Sequence, residues 1–196
     1  MPDAFTFVPA APDRLRDLET IFGDSGNGRK CWCAYWYLPN AEFKAGWGEG
    51  NRSFFRSLVA EGQAPGVMAY CGGEPAGWCG VGPRSAFDRL NRSKAFAPVD
   101  DAPVWSVTCF IVRKHYRRRG LLRLLLRHAV RFASERGARC IEGYPVDRDC
   151  PSSSSDLYPG TLSAFVDEGF VEVARRLPQR PVVRLALDAR SRSRPR

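Results

Sequence analysis

Residues 104–138 read VWSVTCFIVRKHYRRRGLLRLLLRHAVRFASERGA, and no other stretch restricts the fold as much. Its first part, 104–112, is rich in β-branched and aromatic residues and predicts a buried strand. Arg117-Arg118-Arg119-Gly120 predicts a turn. Beyond it Leu121, Leu122, Leu125, Leu126, Ala129, Val130 and Ala133 recur at helical spacing, with Arg123, Arg127, His128 and Arg131 opposite, until Gly137 ends the helix. A strand that enters a helix through a basic, glycine-containing turn gathers unpaired backbone N–H groups and positive charge at one point. Such a point suits a phosphate or pyrophosphate. An amphipathic helix with a solvated basic face fits the same pattern, so the turn alone leaves both readings open.

The flanking sequence alternates between strand and helix signals. Phe5-Thr6-Phe7-Val8 predicts a first strand, and 12–22 a helix with Leu15, Leu18, Ile21 and Phe22 on one face. A loop at 23–28 leads into an aromatic, irregular stretch, 31–50, and 52–61 predicts a second helix. Residues 66–71 and 76–81, joined through Gly72-Gly73-Glu74-Pro75, predict a hairpin. After a polar loop at 84–101 and the central strand and helix, 139–146 predicts a further strand. The serine-rich 147–156 predicts a flexible connection, 162–168 a short helix, and 170–175 with 182–187 a terminal hairpin.

Composition narrows the class. The chain has 196 residues, 44% of them hydrophobic, which suffices for a sizeable core, and no segment divides it as a linker would. One domain over 1–188 and a basic tail over 189–196 is the expected organisation. No apolar run reaches membrane-spanning length, and the first residues lack the pattern of a signal peptide. Seven cysteines without repeating spacing predict free thiols and a cytoplasmic protein. The net charge of +9 includes four arginines of the tail, and the stretch 113–119 concentrates more. An anionic small molecule accounts for that cluster as well as nucleic acid does. No zinc-finger spacing or RNA-binding aromatic signature accompanies it.

Arg117-Arg118-Arg119-Gly120-Leu121-Leu122 matches Gln/Arg-x-x-Gly-x-Gly/Ala, except that Leu122 stands where a small residue is usual. Ala164-Phe165-Val166-Asp167-Glu168-Gly169-Phe170 follows at the expected distance. With the order of elements, these features resemble the GNAT superfamily of acyl-CoA N-acyltransferases over roughly residues 5–187. Cys31-Trp32-Cys33-Ala34-Tyr35-Trp36, Gly143-Tyr144-Pro145-Val146-Asp147 and Tyr158-Pro159-Gly160-Thr161 look like a bacterial branch of it.

The resemblance implies an α/β fold: a mixed, twisted central sheet, splayed between its fourth and fifth strands and flanked by helices. The pantetheine arm of acetyl-CoA would pair with Phe110, Ile111 and Val112. Its pyrophosphate would lie on the N–H groups of Arg117, Arg118, Arg119, Gly120, Leu121 and Leu122. A backbone N–H of Phe110 or Ile111 would stabilise the oxyanion. Many members carry an acidic tyrosine where this chain has Phe165, so Tyr158 is the expected proton donor, with a packed loop aromatic as the alternative. No general base is evident. Glu142 could point into the cleft or away from it, and Ser106 and Thr108 could only orient a water.

The acceptor pocket would be bordered by Trp32 and Trp36, with Tyr35 and Trp47, as a rim or lid, core packing being the equal alternative. Cys31-Trp32-Cys33 has no second chelating pair, so no metal is expected. Cys71, Cys79 and Cys109 read as small buried hydrophobes. The preferred function is transfer of an acetyl group from acetyl-CoA to an amine of a small molecule or protein, by direct attack in a ternary complex, by a monomer or homodimer. The alternatives are a non-catalytic acyl-CoA-binding protein of the same fold and, less favoured, a basic nucleic-acid-binding module.

Overall fold

A computed structural model describes residues 4–63, 65–149 and 158–187. β1 (Phe5–Pro9) leads through a 3₁₀ turn at Pro12–Arg14 into α1 (Leu15–Gly23). Three short or medium helices follow: α2 (Gly28–Cys31), α3 (Asn40–Ala45) and α4 (Glu49–Ala60). β2 (Gly66–Cys71) and β3 (Glu74–Pro83) form the first hairpin, and α5 (Asp88–Arg92) precedes β4 (Trp105–Val112). The second half comprises α6 (Leu121–Glu135), β5 (Cys140–Gly143), α7 (Leu162–Val166), β6 (Val171–Leu177) and β7 (Arg180–Ala186).

The strands form one sheet in the order β1-β2-β3-β4-β5-β7-β6. Its one parallel junction, β4 with β5, pairs only Trp105–Val107 with Ile141–Gly143. β5 stops there while β4 continues to Val112, so the sheet splays open along the second half of β4. Alternation along the strands supplies two cores. Val107 and Phe110 face the α6 side, where Leu121, Leu125, Leu126 and Ala129 lie buried. Cys109 and Ile111 face the other side, against Leu18, Phe22, Trp32 and Trp36. A register shift between Gly80 and Val81 leaves Thr108 as an extra residue of β4, so the alternation changes phase there.

Several boundaries differ from the sequence reading. The stretch expected to be irregular, 31–50, contains the end of α2, a 3₁₀ turn at Ala34–Trp36, all of α3 and the start of α4. These pieces are too short to show a helical period. Left-handed backbone at Trp32 (φ 52°) and Cys33 (φ 53°) turns the chain between them. Fully buried Asn51 ties them together, its side-chain amide donating to the carbonyls of Lys30 and Phe43. β5 ends three residues before the expected 146, because Tyr144 leaves the sheet for the second core. The terminal strands are longer than expected. Most of the serine-rich connection and the basic tail lie outside the described residues. Among the described residues no helix is long and apolar enough to cross a membrane.

Candidate active site

α6 begins where the chain can no longer continue as strand. A 3₁₀ turn at Lys114–Tyr116 follows β4, Arg118 adopts φ 61°, and Gly120 caps the helix with φ 74°. Left-handed backbone costs glycine little, which is why it stands at the cap. The first intrahelical donors are the amides of Arg123 and Leu124, both to the Gly120 carbonyl. The Leu121 and Leu122 amides precede them and point out of the helix end. A β-carbon placed on Gly120 would meet no atom within 4 Å, so the turn is open on its outer side. Arg117 folds back, its Nε donating to the Val112 carbonyl at 3.0 Å. The Leu122 side chain packs partly against the first core.

This helix end forms one wall of a cavity of about 780 Å³, which also takes in Phe110, Val112, Tyr116, Arg117, Arg118 and Ser25. The volume is well within the range that holds large ligands. On the opposite face of β4 lies a second cavity, of about 300 Å³, bounded by Cys109 and Ile111 of the strand and by residues of the aromatic stretch. Of the described residues, Asn27 and Tyr158 border both cavities.

Tyr158 stands in the split of the sheet. Its hydroxyl accepts the Gly28 N–H at 3.2 Å and shares a hydrogen bond with buried Ser25 Oγ at 3.2 Å. Its carbonyl accepts the Phe110 N–H at 2.6 Å. The segment is held by Val146 and Leu162: the Val146 amide donates to the Gly160 carbonyl and the Leu162 amide to that of Val146. Gly160, at φ 86°, passes so close to the rings of Phe165 and Phe110 that a β-carbon would lie 3.0–3.1 Å from them.

The β4 amides alternate in direction as its side chains do. The Arg113 amide donates to Ala76 of β3, and that of Phe110 to Tyr158 across the split. The Ile111 amide therefore faces β3, where the residue pairs with Trp78, and that of Val112 faces the split. This corrects the expectation for Ile111, whose N–H points away from any ligand in the split. Phe110 points the right way, with its N–H engaged by the Tyr158 carbonyl.

The structure also decides the places of Trp32, Trp36 and Glu142. Trp32 is buried in the second core rather than at a pocket rim: its ring stacks on Phe22 at 4.9 Å and its indole N–H donates to the Arg29 carbonyl at 2.7 Å. Trp36 does border the smaller cavity, as an inner wall only 5% exposed, while Tyr35 and Trp47 form the exposed side. Glu142 points away from both cavities. Its carboxylate, 1% exposed, accepts bonds from Arg184 at 2.7 and 3.0 Å and from the Tyr144 hydroxyl at 3.1 Å, with Arg84 at 3.7 Å. Ser106 joins the same network through Tyr144, and Thr108 Oγ1 donates to the Gly80 carbonyl. A group bound into a buried ion network and outside both cavities is out of reach of a substrate proton.

Phe165 is fully buried, packed on Phe110 and Phe170, so the ring at the family's tyrosine position is part of the core. Cys31, Cys33 and Cys109 border the smaller cavity as free thiols. Burial pushes Cys31 up to about 12, and a hydrogen bond with Cys33 together with burial raises Cys109. Among the described residues no three His, Cys, Asp or Glu side chains converge as metal ligands. Sequence reasoning missed Ser25 and Gly28, which bond the Tyr158 hydroxyl, and Asn27, which borders both cavities with it; no local pattern marks them.

A mixed sheet that splays at its parallel pair, with a glycine-capped helix end at the mouth of the split, is the architecture of N-acetyltransferases. Residues 32–149, more than half of the chain, match the sequence profile of the acetyltransferase (GNAT) family, and the chain belongs to that family. Among solved structures it is similar to a GNAT-family protein from Desulfovibrio desulfuricans (15% identity, TM-score 0.54), with 94% of this chain and 100% of that one covered. Likewise it is similar to yncA from Salmonella typhimurium, solved with its cofactor acetyl-CoA (14% identity, 95% and 96% covered, TM-score 0.54). A third is the ribosomal-protein-S18-alanine N-acetyltransferase of Escherichia coli (16% identity, 94% and 93% covered, TM-score 0.51). At these identities the likeness is one of fold. A search of the curated proteins finds no match.

Proposed function

We propose that the protein is an acetyl-CoA-dependent N-acetyltransferase, built as one domain over residues 1–188 and working in the cytoplasm. The observation that carries this reading is the pair of cavities on opposite faces of β4, meeting at Tyr158 in the split of the sheet. The larger takes acetyl-CoA. Its pyrophosphate lies against the outward amides of Gly120, Leu121 and Leu122, with Arg117, Arg118 and Arg119 adding charge at the surface. The pantetheine arm runs along β4 and pairs with the Val112 amide. The smaller cavity takes the amine.

With both bound, the amine lone pair attacks the thioester carbonyl carbon. The Phe110 N–H passes from the Tyr158 carbonyl to the developing oxyanion. Collapse of the tetrahedral intermediate breaks the C–S bond and the CoA thiolate takes a proton from the Tyr158 hydroxyl; the amide nitrogen releases its extra proton to solvent, and the Tyr158 phenolate takes one back from solvent. The test is a screen of amines with purified protein and acetyl-CoA, following free thiol release. Amine-dependent release is expected. Tight acetyl-CoA binding without turnover on any amine would favour a non-catalytic acyl-CoA-binding protein.

A further inference from the structure

The smaller cavity narrows the acceptor, given that it is the acceptor site of the proposed transferase. Its volume, about 300 Å³, is at the lower limit of ligand pockets and fits a single-ring compound rather than a folded peptide or an oligosaccharide. Its walls are aromatic. Tyr35 meets Trp36 edge-on at 5.1 Å and Phe43 at 5.5 Å, and Phe43 meets Trp47 edge-on at 5.5 Å, so the four rings form a continuous edge-to-face surface. Ile111 and the thiols of Cys31, Cys33 and Cys109 complete it. Because burial keeps Cys31 protonated, and the Cys33 hydrogen bond with burial does so for Cys109, the Cys31 and Cys109 sulfurs offer soft, polarisable surface rather than negative charge.

Charge points the same way. Among the described residues that border this cavity there is no carboxylate. A polyamine, an aminoglycoside or a lysine-rich segment carries several ammonium groups that need carboxylate partners on desolvation. A monoamine whose remaining bulk is a ring needs none: its one nitrogen is the group that reacts, and its ring meets rings and sulfur.

We infer that the acceptor is a compact aromatic monoamine, its ring held among Tyr35, Trp36, Phe43 and Trp47 and its nitrogen directed past Tyr158 toward the thioester. Burying a phenyl group makes kcat/KM for 2-phenylethylamine at least tenfold higher than for propylamine, with spermidine poorer than either. Trp47 is 45% exposed, so Trp47→Ala removes one wall with little risk to folding, and it lowers kcat/KM for 2-phenylethylamine far more than for propylamine. Calorimetric titration of the CoA-loaded full chain with 2-phenylethylamine gives a readout apart from turnover. Binding weakened by Trp47→Ala supports the pocket even if no amine is acetylated, an outcome that would count against the transferase reading alone. Turnover of propylamine or spermidine ahead of 2-phenylethylamine would overturn the aromatic assignment while leaving the transferase standing, as would absence of 2-phenylethylamine binding.

Discussion

Replacing Tyr158 with phenylalanine keeps the ring between the two cavities and removes one oxygen atom. That oxygen has two partners, the Gly28 amide and Ser25 Oγ, each at 3.2 Å. Ser25 is 1% exposed, and loss of the shared hydroxyl partner costs about 1–3 kcal/mol. For a chain of this length that lowers Tm by several degrees, at about 2–4 °C per kcal/mol. If the hydroxyl also supplies the leaving thiolate's proton, kcat falls on the order of 100-fold, equivalent to about 2.7 kcal/mol on the barrier. The two effects separate by temperature: measured well below the lowered Tm, a pure stability loss leaves kcat intact. Steady-state kinetics with saturating acetyl-CoA, a calorimetric affinity for acetyl-CoA and a thermal melt complete the test. Retention of kcat within about threefold, with the Tm drop present, would refute the acid role and make the hydroxyl a strut that holds α2 against the split.

At the helix cap, Gly120→Glu adds negative charge over the turn as well as the backbone strain that any side chain brings at φ 74°, and acetyl-CoA affinity should fall tenfold or more, about 1.4 kcal/mol, below that of Gly120→Ala, which carries the strain alone, by calorimetry. Undiminished affinity would remove this turn from the binding site. Gly143→Ala drives a β-carbon into the Phe165 ring, which is fully buried, and overpacking of this kind costs about 1–3 kcal/mol. A melt unchanged from the parent would contradict the packing of Phe165 beneath the end of β5. Asp100 is held below its ordinary 3.8 by hydrogen bonds from Arg184, and Asp147 and Glu172 below 3.8 and 4.5 by Arg175. Carboxylates depressed in the fold contribute stability that is complete above their unfolded values and lost as pH falls through the folded ones. Denaturation midpoints should therefore drop as pH falls from about 5 to about 3, and Asp100→Asn should flatten that drop.

The elements that could be read from the chain are those with a long, regular period. α6 shows its apolar stripe over fifteen residues, and the β2–β3 hairpin carries its own glycine turn. Gly120 was legible as the turn because it stands directly between a strand signal and a helical stripe. The small helices between Gly28 and Ala45 were not, since four to six residues present no period and their packing rests on Asn51, a polar residue that nothing local marks as buried. Glu142 could not be placed either. Alternation says that a strand residue faces one side or the other, and only the approach of Arg184 and Arg84 from distant segments decided which.

The same division runs through the site. By itself the sequence determined the strand, the basic turn, the capped helix and the missing phenol at Phe165, because each depends on neighbours within a few residues. Only the tertiary structure decided that the Ile111 amide faces β3, that Trp32 belongs to the core while Trp36 reaches the cavity, and that Tyr158 stands between two cavities beside Ser25 and Gly28. The physical reason is range. Backbone preference and hydrophobic period act along the chain, whereas the direction of an amide, the depth of a ring and the partners of a hydroxyl are set by what packs against them. In this fold those partners lie up to 133 positions away, as Ser25 does from Tyr158.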